Sequence, residues 1–289
     1  MAQTDMTQKP RIAIPLPHGG DPEYADRAIP QYERAVELAG GEPVRIPLDR
    51  SPAEVMKLIE RCDAVLLPGS KADVDPAKFG AVRHEKTDPA DPKRDTVDEL
   101  LLQDAYNMHK PVLGICYGLQ ILNVYRTGTL VQHIESAVNH EAGRKIPVAH
   151  QVEIEPASKL AEILGPWEGT ASSAAGGHSG KGTSSTRAAS VPNSGGAFAP
   201  DGRLIIPANS SHHQSADVIG DGLKITARCP EDGIVEAVEG TSPDHFVVAV
   251  QWHPERSFED DDRSRRIFRA LVEAAREKHR ELVGEFEAT

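Results

Sequence analysis

Up to residue 116, the pattern of hydrophobic and polar residues predicts strands that alternate with helices. Short apolar runs predict strands, and between them apolar residues recur every three or four positions, as one buried helix face requires. The predicted strands are RIAIPLP (11–17), EPVRIPL (42–48), DAVLLPGS (63–70) and PVLGIC (111–116). The predicted helices cover 24–41, 51–62 and 94–110. Nearly continuous apolar strands separated by helices indicate an α/β fold with a parallel sheet covered on both faces.

The spacing of apolar residues and the capping residues predict which face of each helix is buried and where the helix begins. In the first helix, the spacing of Tyr32, Val36 and Leu38 predicts that all three face inward. In the third helix, Asp95 can accept hydrogen bonds from the first backbone N–H groups and so cap it. Ligands of such sheets bind beyond the carboxyl ends of the strands. Gly69 and Cys116 lie at such ends and are therefore candidate site residues.

The pattern changes in the second half of the chain. Residues 169–200 are mostly Gly, Ala, Ser and Thr, which cannot anchor a core, so a passive surface insertion is predicted. A lid over the site is the alternative, although lids usually carry aromatic or charged anchors. Strands are predicted at 203–208, 222–229, 233–240 and 245–253, and an amphipathic helix at 262–284. We therefore expect one domain over 11–289, preceded by a flexible segment 1–10.

Composition and charge narrow the classes of function. A chain of 289 residues that is 39% hydrophobic can bury a sizeable core. Its net charge of −12 argues against a nucleic-acid partner. The N-terminal residues hold no apolar segment of signal-peptide length, and no stretch approaches a membrane span, so we expect a cytoplasmic protein without a membrane partner. Cys62, Cys116 and Cys229 have no CxxC spacing, which argues against a disulfide framework or a zinc knuckle.

The stretch LGICYGLQ (113–120) holds Cys116 between Gly114 and Gly118. In one interpretation Cys116 is a small buried hydrophobic residue at a strand end, as most free cysteines are. In the other it is a nucleophile on a tight strand-to-helix turn, where the glycines are needed because no side chain fits.

A second chemical clue is QWHPE (251–255), at the end of the last predicted strand. In extended chain, residues two apart point the same way, so His253 and Glu255 can face each other across Pro254. A polar turn leaving the sheet is the structural alternative. A cysteine hydrolase needs a thiolate, a proton shuttle and a group that orients the shuttle, and Cys116, His253 and Glu255 supply all three.

Several separated motifs in this order resemble one family. They are LLPGSKADVDPAKFG (66–80), DPKRDTVDELL (91–101), KPVLGICYGLQILNV (110–124), TGTLVQHI (127–134), NSSHHQ (209–214) and FVVAVQWHPE (246–255). The chain is similar to class I glutamine amidotransferase-like proteins, and within them to the γ-glutamyl-γ-aminobutyrate hydrolases of the γ-glutamyl hydrolase peptidase family. The resemblance implies a flavodoxin-like, doubly wound, mostly parallel sheet and a γ-glutamyl amide as substrate.

The resemblance also implies a role for each site residue. The implied catalytic residues are Cys116, His253 and Glu255, the oxyanion donors are the backbone N–H groups of Gly69 and Tyr117, and the substrate-binding residues are Gln120, Ser211 and His212. Gln120 is alternatively a helix-surface amide. The helix that begins after Cys116 and the neighbouring His253 are expected to lower the thiol pKa. No cofactor and no metal are required by this chemistry.

Three positions depart from the family pattern. Family members often carry Arg where Tyr117 stands, Gly where Thr127 stands and Asp where His133 stands. Tyr117 resembles the corresponding residue of several synthetase-linked amidotransferases, so the leaving group stays open. In NSSHHQ, the adjacent His212 and His213 point to opposite faces if extended, which is poorly suited to sharing one metal ion.

The predicted function is therefore hydrolysis of a small γ-glutamyl amine by a cysteine-dependent enzyme whose partner is a small-molecule substrate. A glutaminase subunit that delivers ammonia to a separate synthetase would share the same catalytic residues. A non-catalytic binding protein, by contrast, would be expected to lack Cys116, His253 or Glu255. The sequence does not distinguish a monomer from a homodimer.

Overall fold

The strands and helices follow the alternation expected from the apolar pattern. The computed structural model describes residues 8–165, 197–198 and 203–287. The strands are β1 (Arg11–Pro15), β2 (Glu42–Ile46), β3 (Ala64–Leu67), β4 (Val112–Ile115), β5 (Leu130–Val131), β6 (His150–Ile154), β7 (Ala197–Phe198), β8 (Leu204–Ala208), β9 (Ser215–Ala216), β10 (Leu223–Arg228), β11 (Val235–Gly240) and β12 (Val247–Val250). The helices are α1 (Pro22–Leu38), α2 (Pro52–Ile59), α3 (Pro92–Met108), α4 (Tyr117–Tyr125), α5 (Lys159–Leu164) and α6 (Asp262–Glu287).

The main sheet has a parallel half and an antiparallel half. Its strand order is β2-β1-β3-β4-β12-β11-β10-β6-β8-β7. The pairs from β2 to β12 are parallel, and those from β12 to β7 are antiparallel. Strands β5 and β9 form a separate antiparallel pair. The predicted doubly wound, flavodoxin-like architecture is confirmed, because helices cover both faces of the parallel half.

Two apolar clusters fill the space between the sheet and its helices. One joins α1 and α6 to one face of the sheet, and the other joins α2, α3 and α4 to the opposite face. Every residue of β3, β4 and β12 is buried, which explains their unbroken apolar runs. Among the described residues, no helix combines the length and apolar character needed to cross a membrane.

Two local predictions about the helices are wrong. Tyr32 and Val36 are buried as expected, but Leu38 is 45% exposed. It lies two residues after Val36, about 200° around the helix from the buried face. The cap of α3 is Asp91, whose carboxylate accepts the Lys93 and Arg94 backbone N–H groups. Asp95 therefore lies inside the first turn of α3, where its side chain is free to bond elsewhere.

The segment between residues 140 and 165 contains elements that the apolar pattern did not predict, namely β6 and α5. Most of the predicted insertion 169–200 lies outside the described residues, except for β7, which pairs with β8. Residues 1–7 of the predicted N-terminal segment also lie outside them.

Candidate active site

Cys116 occupies a strained turn between β4 and α4. Its φ of +54° and ψ of −106° lie where residues with a Cβ rarely occur. A Cβ at Gly118 would lie 2.1 Å from the Leu67 carbonyl oxygen, and one at Gly114 would lie 2.8 Å from the Gly118 carbonyl oxygen. Both glycines are therefore required by close backbone approach. Such strain is characteristic of a nucleophile elbow.

His253 and Glu255 form the predicted pair, 2.8 Å apart between Nδ1 and Oε1. The reason differs from the one expected, because β12 ends at Val250 and residues 254–256 form a 3-10 turn instead of extended chain. A carboxylate only accepts hydrogen bonds, so His253 Nδ1 carries the proton and Nε2 keeps its lone pair. The His253 side chain is thereby oriented as a base.

The sequence analysis missed Asn209, which fixes the backbone of His253. Its side-chain amide accepts the His253 N–H at 3.0 Å and donates to the His253 carbonyl at 2.9 Å. These reciprocal bonds join the NSSHHQ segment to the turn that carries His253 and Glu255. Asparagine in a loop gives no sequence signal that would name such a partner.

Cys116 and His253 line one open cavity of about 410 Å³. A Cβ at Gly69 would lie 3.0 Å from His253 Cε1 and 3.6 Å from Cys116 Cβ. The backbone of Gly69 therefore lies close to both Cys116 and His253. The structure brings together all three residues predicted to be catalytic.

The prediction of a lowered thiol pKa is wrong. Burial disfavours the thiolate and raises the pKa of Cys116 to about 12. The charge of Arg256 and the backbone N–H of Tyr117 act in the opposite direction but do not outweigh burial. Cys116 therefore rests as a neutral thiol.

The pKa values of the other two residues suit a base and its orienter. Burial lowers the pKa of His253 below its ordinary 6.5, although the charge of Glu255 opposes the shift. The pKa of Glu255 is lowered because the charge of His253 and its hydrogen bond outweigh burial. His253 is consequently neutral, and Glu255 ionised, at neutral pH.

The two expected oxyanion donors differ in their surroundings. The Tyr117 backbone N–H lies at the start of α4 and faces the sulfur. The Gly69 N–H donates to the hydroxyl of Tyr32 at 3.1 Å. Tyr32 is buried, and its hydroxyl was not among the predicted site residues. An oxyanion would therefore compete with Tyr32 for the Gly69 N–H.

The three residues predicted to bind substrate all line the cavity. Gln120 is buried, and its amide donates to the Gln214 carbonyl at 3.0 Å, so it is not a surface amide. Ser211 accepts from the Arg256 guanidinium at 2.7 Å. His212 contributes to the wall, but its ring is turned toward the protein interior, where Glu236 lies 3.7 Å away.

His213 points away from His212, as the alternation of side chains predicted. Its Nε2 lies 3.1 Å from Asp73 Oδ1, on the cavity wall. His133, one of the departures from the family pattern, lies behind it with its Nδ1 3.3 Å from the His213 Nδ1. The two histidines of NSSHHQ therefore contact different residues.

Arg94 supports the loop that carries Gly69 and does not line the cavity. Its fully buried guanidinium pairs with Asp98 at 2.8 Å and donates to the Pro68 carbonyl at 3.0 Å. It also stacks on the Tyr117 ring, whose hydroxyl donates to Asp95 at 2.7 Å. Tyr117 therefore directs its side chain into the core, and only its backbone faces Cys116.

Comparison with known proteins agrees with this geometry. The sequence model of the family described as Peptidase C26 matches residues 17–179 and 183–255. The chain belongs to the peptidase C26 family. One relative is Rv2859c of Mycobacterium tuberculosis, whose name assigns it provisionally to the glutamine amidotransferases. It is 34% identical over 248 residues, which span 84% of this chain and 66% of that protein.

Another relative in this comparison is the γ-glutamyl-γ-aminobutyrate hydrolase PuuD of Escherichia coli. It is 28% identical over 254 residues, with 84% of each protein covered. Among solved structures, the glutaminase domain of Trypanosoma brucei CTPS with bound acivicin aligns with a TM-score of 0.55 at 16% identity. The alignment covers 92% of this chain and 93% of that one. The fold is thus that of the class I glutamine amidotransferases, and the family supports a hydrolase that acts on C–N bonds.

Proposed function

We propose that the protein hydrolyses the γ-glutamyl amide bond of a small γ-glutamyl amine, releasing glutamate and the free amine. The observation that carries this proposal is the meeting of the strained Cys116 turn with the His253–Glu255 pair on one open cavity. The similarity to PuuD supports the substrate class.

The first half of the reaction forms a thioester. Because Cys116 rests as a thiol, His253 Nε2 takes its proton as the sulfur attacks the γ-carbonyl carbon. The resulting oxyanion accepts hydrogen bonds from the Tyr117 and Gly69 backbone N–H groups. The imidazolium, held by ionised Glu255, then gives its proton to the amide nitrogen as the C–N bond breaks.

The second half regenerates the enzyme. The amine leaves, and a water molecule enters between the thioester and the neutral His253. His253 takes a proton from this water while the water oxygen attacks the carbonyl carbon of the thioester. When the C–S bond breaks, the imidazolium returns the proton to the Cys116 sulfur, and glutamate dissociates.

The cavity carries charges of both signs, which suits the α-ammonium and α-carboxylate of a γ-glutamyl group. Arg27, Lys71 and Arg144 supply positive charge on its walls, and Asp73 and Glu141 supply negative charge. In addition, the cavity is open, so a leaving group larger than ammonia has room to depart.

A glutaminase subunit of a synthetase is the second candidate, because it would use the same three catalytic residues. The fold similarity to the CTPS glutaminase domain and the presence of Tyr117 after the nucleophile favour it. Such a subunit would release ammonia and would be nearly inactive without its partner.

Steady-state assays of the purified full chain on γ-glutamyl-GABA and on glutamine separate the two candidates. We expect kcat/KM for γ-glutamyl-GABA to exceed that for glutamine by at least ~10-fold, or roughly 1.4 kcal/mol of transition-state binding. Iodoacetamide should abolish the activity through Cys116. Hydrolysis of glutamine alone, or activity that requires an added synthetase, would replace the hydrolase with the glutaminase subunit.

A further inference from the structure

Four buried side chains converge behind the wall of the cavity. They are His140, His150, His212 and Glu236, and their exposed fractions are 3%, 6%, 4% and 0%. They come from the segment before β6, from β6 itself, from the NSSHHQ segment and from β11. One ligand atom from each lies within 4.8 Å of all the others.

The spacing of these atoms fits a tetrahedral ion. Glu236 Oε1 lies 3.5 Å from His140 Nδ1, 3.4 Å from His150 Nε2 and 3.7 Å from His212 Nε2. Zinc–nitrogen distances are about 2.0–2.1 Å, so neighbouring ligand atoms around a tetrahedral zinc ion lie roughly 3.3–3.4 Å apart. The three distances from Glu236 Oε1 are too long for ordinary hydrogen bonds. They are close to the edge length of such a tetrahedron.

The outer nitrogen of each histidine has an acceptor. His140 Nε2 lies 2.9 Å from an Asp232 carboxylate oxygen, His150 Nδ1 lies 3.0 Å from the Gln151 carbonyl and His212 Nδ1 lies 2.9 Å from the Gln214 carbonyl. Because one nitrogen of each ring faces an outer acceptor, the other nitrogen faces the centre of the cluster, toward Glu236. Acceptors of this kind are the usual outer partners of metal-bound histidines.

Within the part of the chain that the structure describes, the polar atoms at the centre of the cluster have no hydrogen-bond partner. Among the described residues, no hydrogen-bond partner reaches His140 Nδ1, His150 Nε2, His212 Nε2 or either carboxylate oxygen of Glu236. Buried acceptors without a donor or a cation are costly. Three ring nitrogens and a carboxylate oxygen that converge on one point are suitably placed to bind a cation there.

We propose that these four residues bind one Zn²⁺ ion in a structural site. Three imidazole nitrogens and one carboxylate oxygen suit zinc, whereas Ca²⁺ and Mg²⁺ prefer oxygen ligands. Four protein ligands leave no open position for water or substrate, so the ion takes no part in amide hydrolysis. The site is independent of the proposed substrate.

The ion would hold the wall of the active site in place. His212 lies beside Ser211 and two residues before Gln214, and all three line the cavity. The same segment begins at Asn209, which clamps the His253 backbone. A zinc ion that ties this segment to β6 and β11 would fix one side of the cavity without entering it.

Metal analysis of the purified full chain tests the site directly. We expect about one zinc ion per chain after growth with added zinc and extensive dialysis. His150→Ala and Glu236→Ala should lose it, whereas the matched control His213→Ala, which changes the neighbour of a ligand, should keep it. Asp232→Asn should keep the ion but bind it about 10–100-fold more weakly, because only an outer partner is lost.

Cobalt provides a readout that does not depend on variants that lose the metal. Wild-type chain in which Co²⁺ replaces zinc should show the intense visible absorption of a tetrahedral site. His140 faces the ion through Nδ1, the ring nitrogen nearer the backbone, so His140→Cys should retain a metal ion and add a near-ultraviolet band from thiolate-to-cobalt charge transfer. Such a band would place residue 140 in direct contact with the ion.

Three results would overturn the proposal. One is a folded wild-type chain that binds neither Zn²⁺ nor Co²⁺ after dialysis, which would mean that protons hold the cluster together. Another is zinc binding that is equal in wild type, His150→Ala and Glu236→Ala. The third is a cobalt-loaded His140→Cys chain without the charge-transfer band.

Discussion

The hydroxyl of Tyr32 accepts the backbone N–H of Gly69 at 3.1 Å, at the point where Gly69 approaches both Cys116 and His253. The Tyr32 hydroxyl therefore occupies one of the two expected oxyanion donors. The bond holds the Gly69 loop in place until a substrate carbonyl competes for the same N–H.

The variant Tyr32→Phe tests which group donates to the oxyanion. It leaves the buried Gly69 N–H without an acceptor, so we expect it to lower the free energy of unfolding by about 1–3 kcal/mol. The N–H stays available to the oxyanion, so kcat should remain within about threefold of wild type. Denaturant unfolding and steady-state kinetics measure the two effects. A fall in kcat of about 10²–10³-fold would instead make the Tyr32 hydroxyl the donor.

Substitution of Cys116 by serine tests whether its sulfur is the nucleophile. Cys116→Ser should lower kcat on the order of 10³-fold or more while circular dichroism shows an intact fold, because the hydroxyl is a poor nucleophile in this site. Retained activity would remove Cys116 from the role of nucleophile.

The backbone conformation of Cys116 predicts an unusual order of stability. Glycine normally destabilises a folded protein relative to alanine, but here φ is +54°. We expect Cys116→Gly to be more stable than Cys116→Ala by about 1 kcal/mol in denaturant unfolding. The opposite order would show that the turn is relaxed.

Glu255→Gln should change the pH profile as well as the rate. His253 acts as a base when neutral, so activity is lost as pH falls through its pKa, which burial places below 6.5. Glu255 raises that pKa, so its neutralisation should move the acid limb of kcat/KM to still lower pH.

The same variant should lower kcat on the order of 10²–10⁴-fold with KM nearly unchanged, because the orientation of His253 is lost while substrate contacts remain. Arg45→Gln, at an exposed ion pair on β2, is a suitable control for a change of surface charge. An acid limb that moves to higher pH would contradict the assigned role of Glu255.

Thr127 carries strain that glycine would relieve. Its φ is +71°, a region that is costly for a β-branched residue, and the family pattern often has glycine at this position. We expect Thr127→Gly to raise the free energy of unfolding by about 1 kcal/mol without changing kcat/KM. Thr127→Ala, which keeps a Cβ, is the matched control and should show no comparable gain.

The proximity of Cys116, His253 and Glu255 could be predicted because each lies in a short motif at a strand end. Their electrostatics could not be, since the pKa of Cys116 depends on burial that arises only in the folded chain. The hydrogen bond between Gly69 and Tyr32 joins positions 37 residues apart, and no sequence pattern predicts a contact over that distance.

The cluster around Glu236 was missed for a related reason. Its members come from four segments, and His212 could be weighed in the sequence only against its neighbour His213. His150 occupies an inward position of β6, so a polar residue interrupts the apolar alternation and hides the strand. The apolar pattern failed to predict β6 because a buried histidine occupies a position normally held by an apolar residue.

The parallel pairing of β4 with β12 determines when the site can first exist. Ile115 pairs with Val250, and the Cys116 N–H donates to the Val250 carbonyl at 2.8 Å. The nucleophile is therefore docked onto a strand that is synthesised more than a hundred residues later. Such long-range pairing forms slowly, because the intervening chain must be closed into a loop first. During synthesis, a ribosome-bound chain that has not yet reached β12 carries the nucleophile without its base. The fold thus delays the meeting of Cys116 and His253 until β12 has been made and has paired with β4.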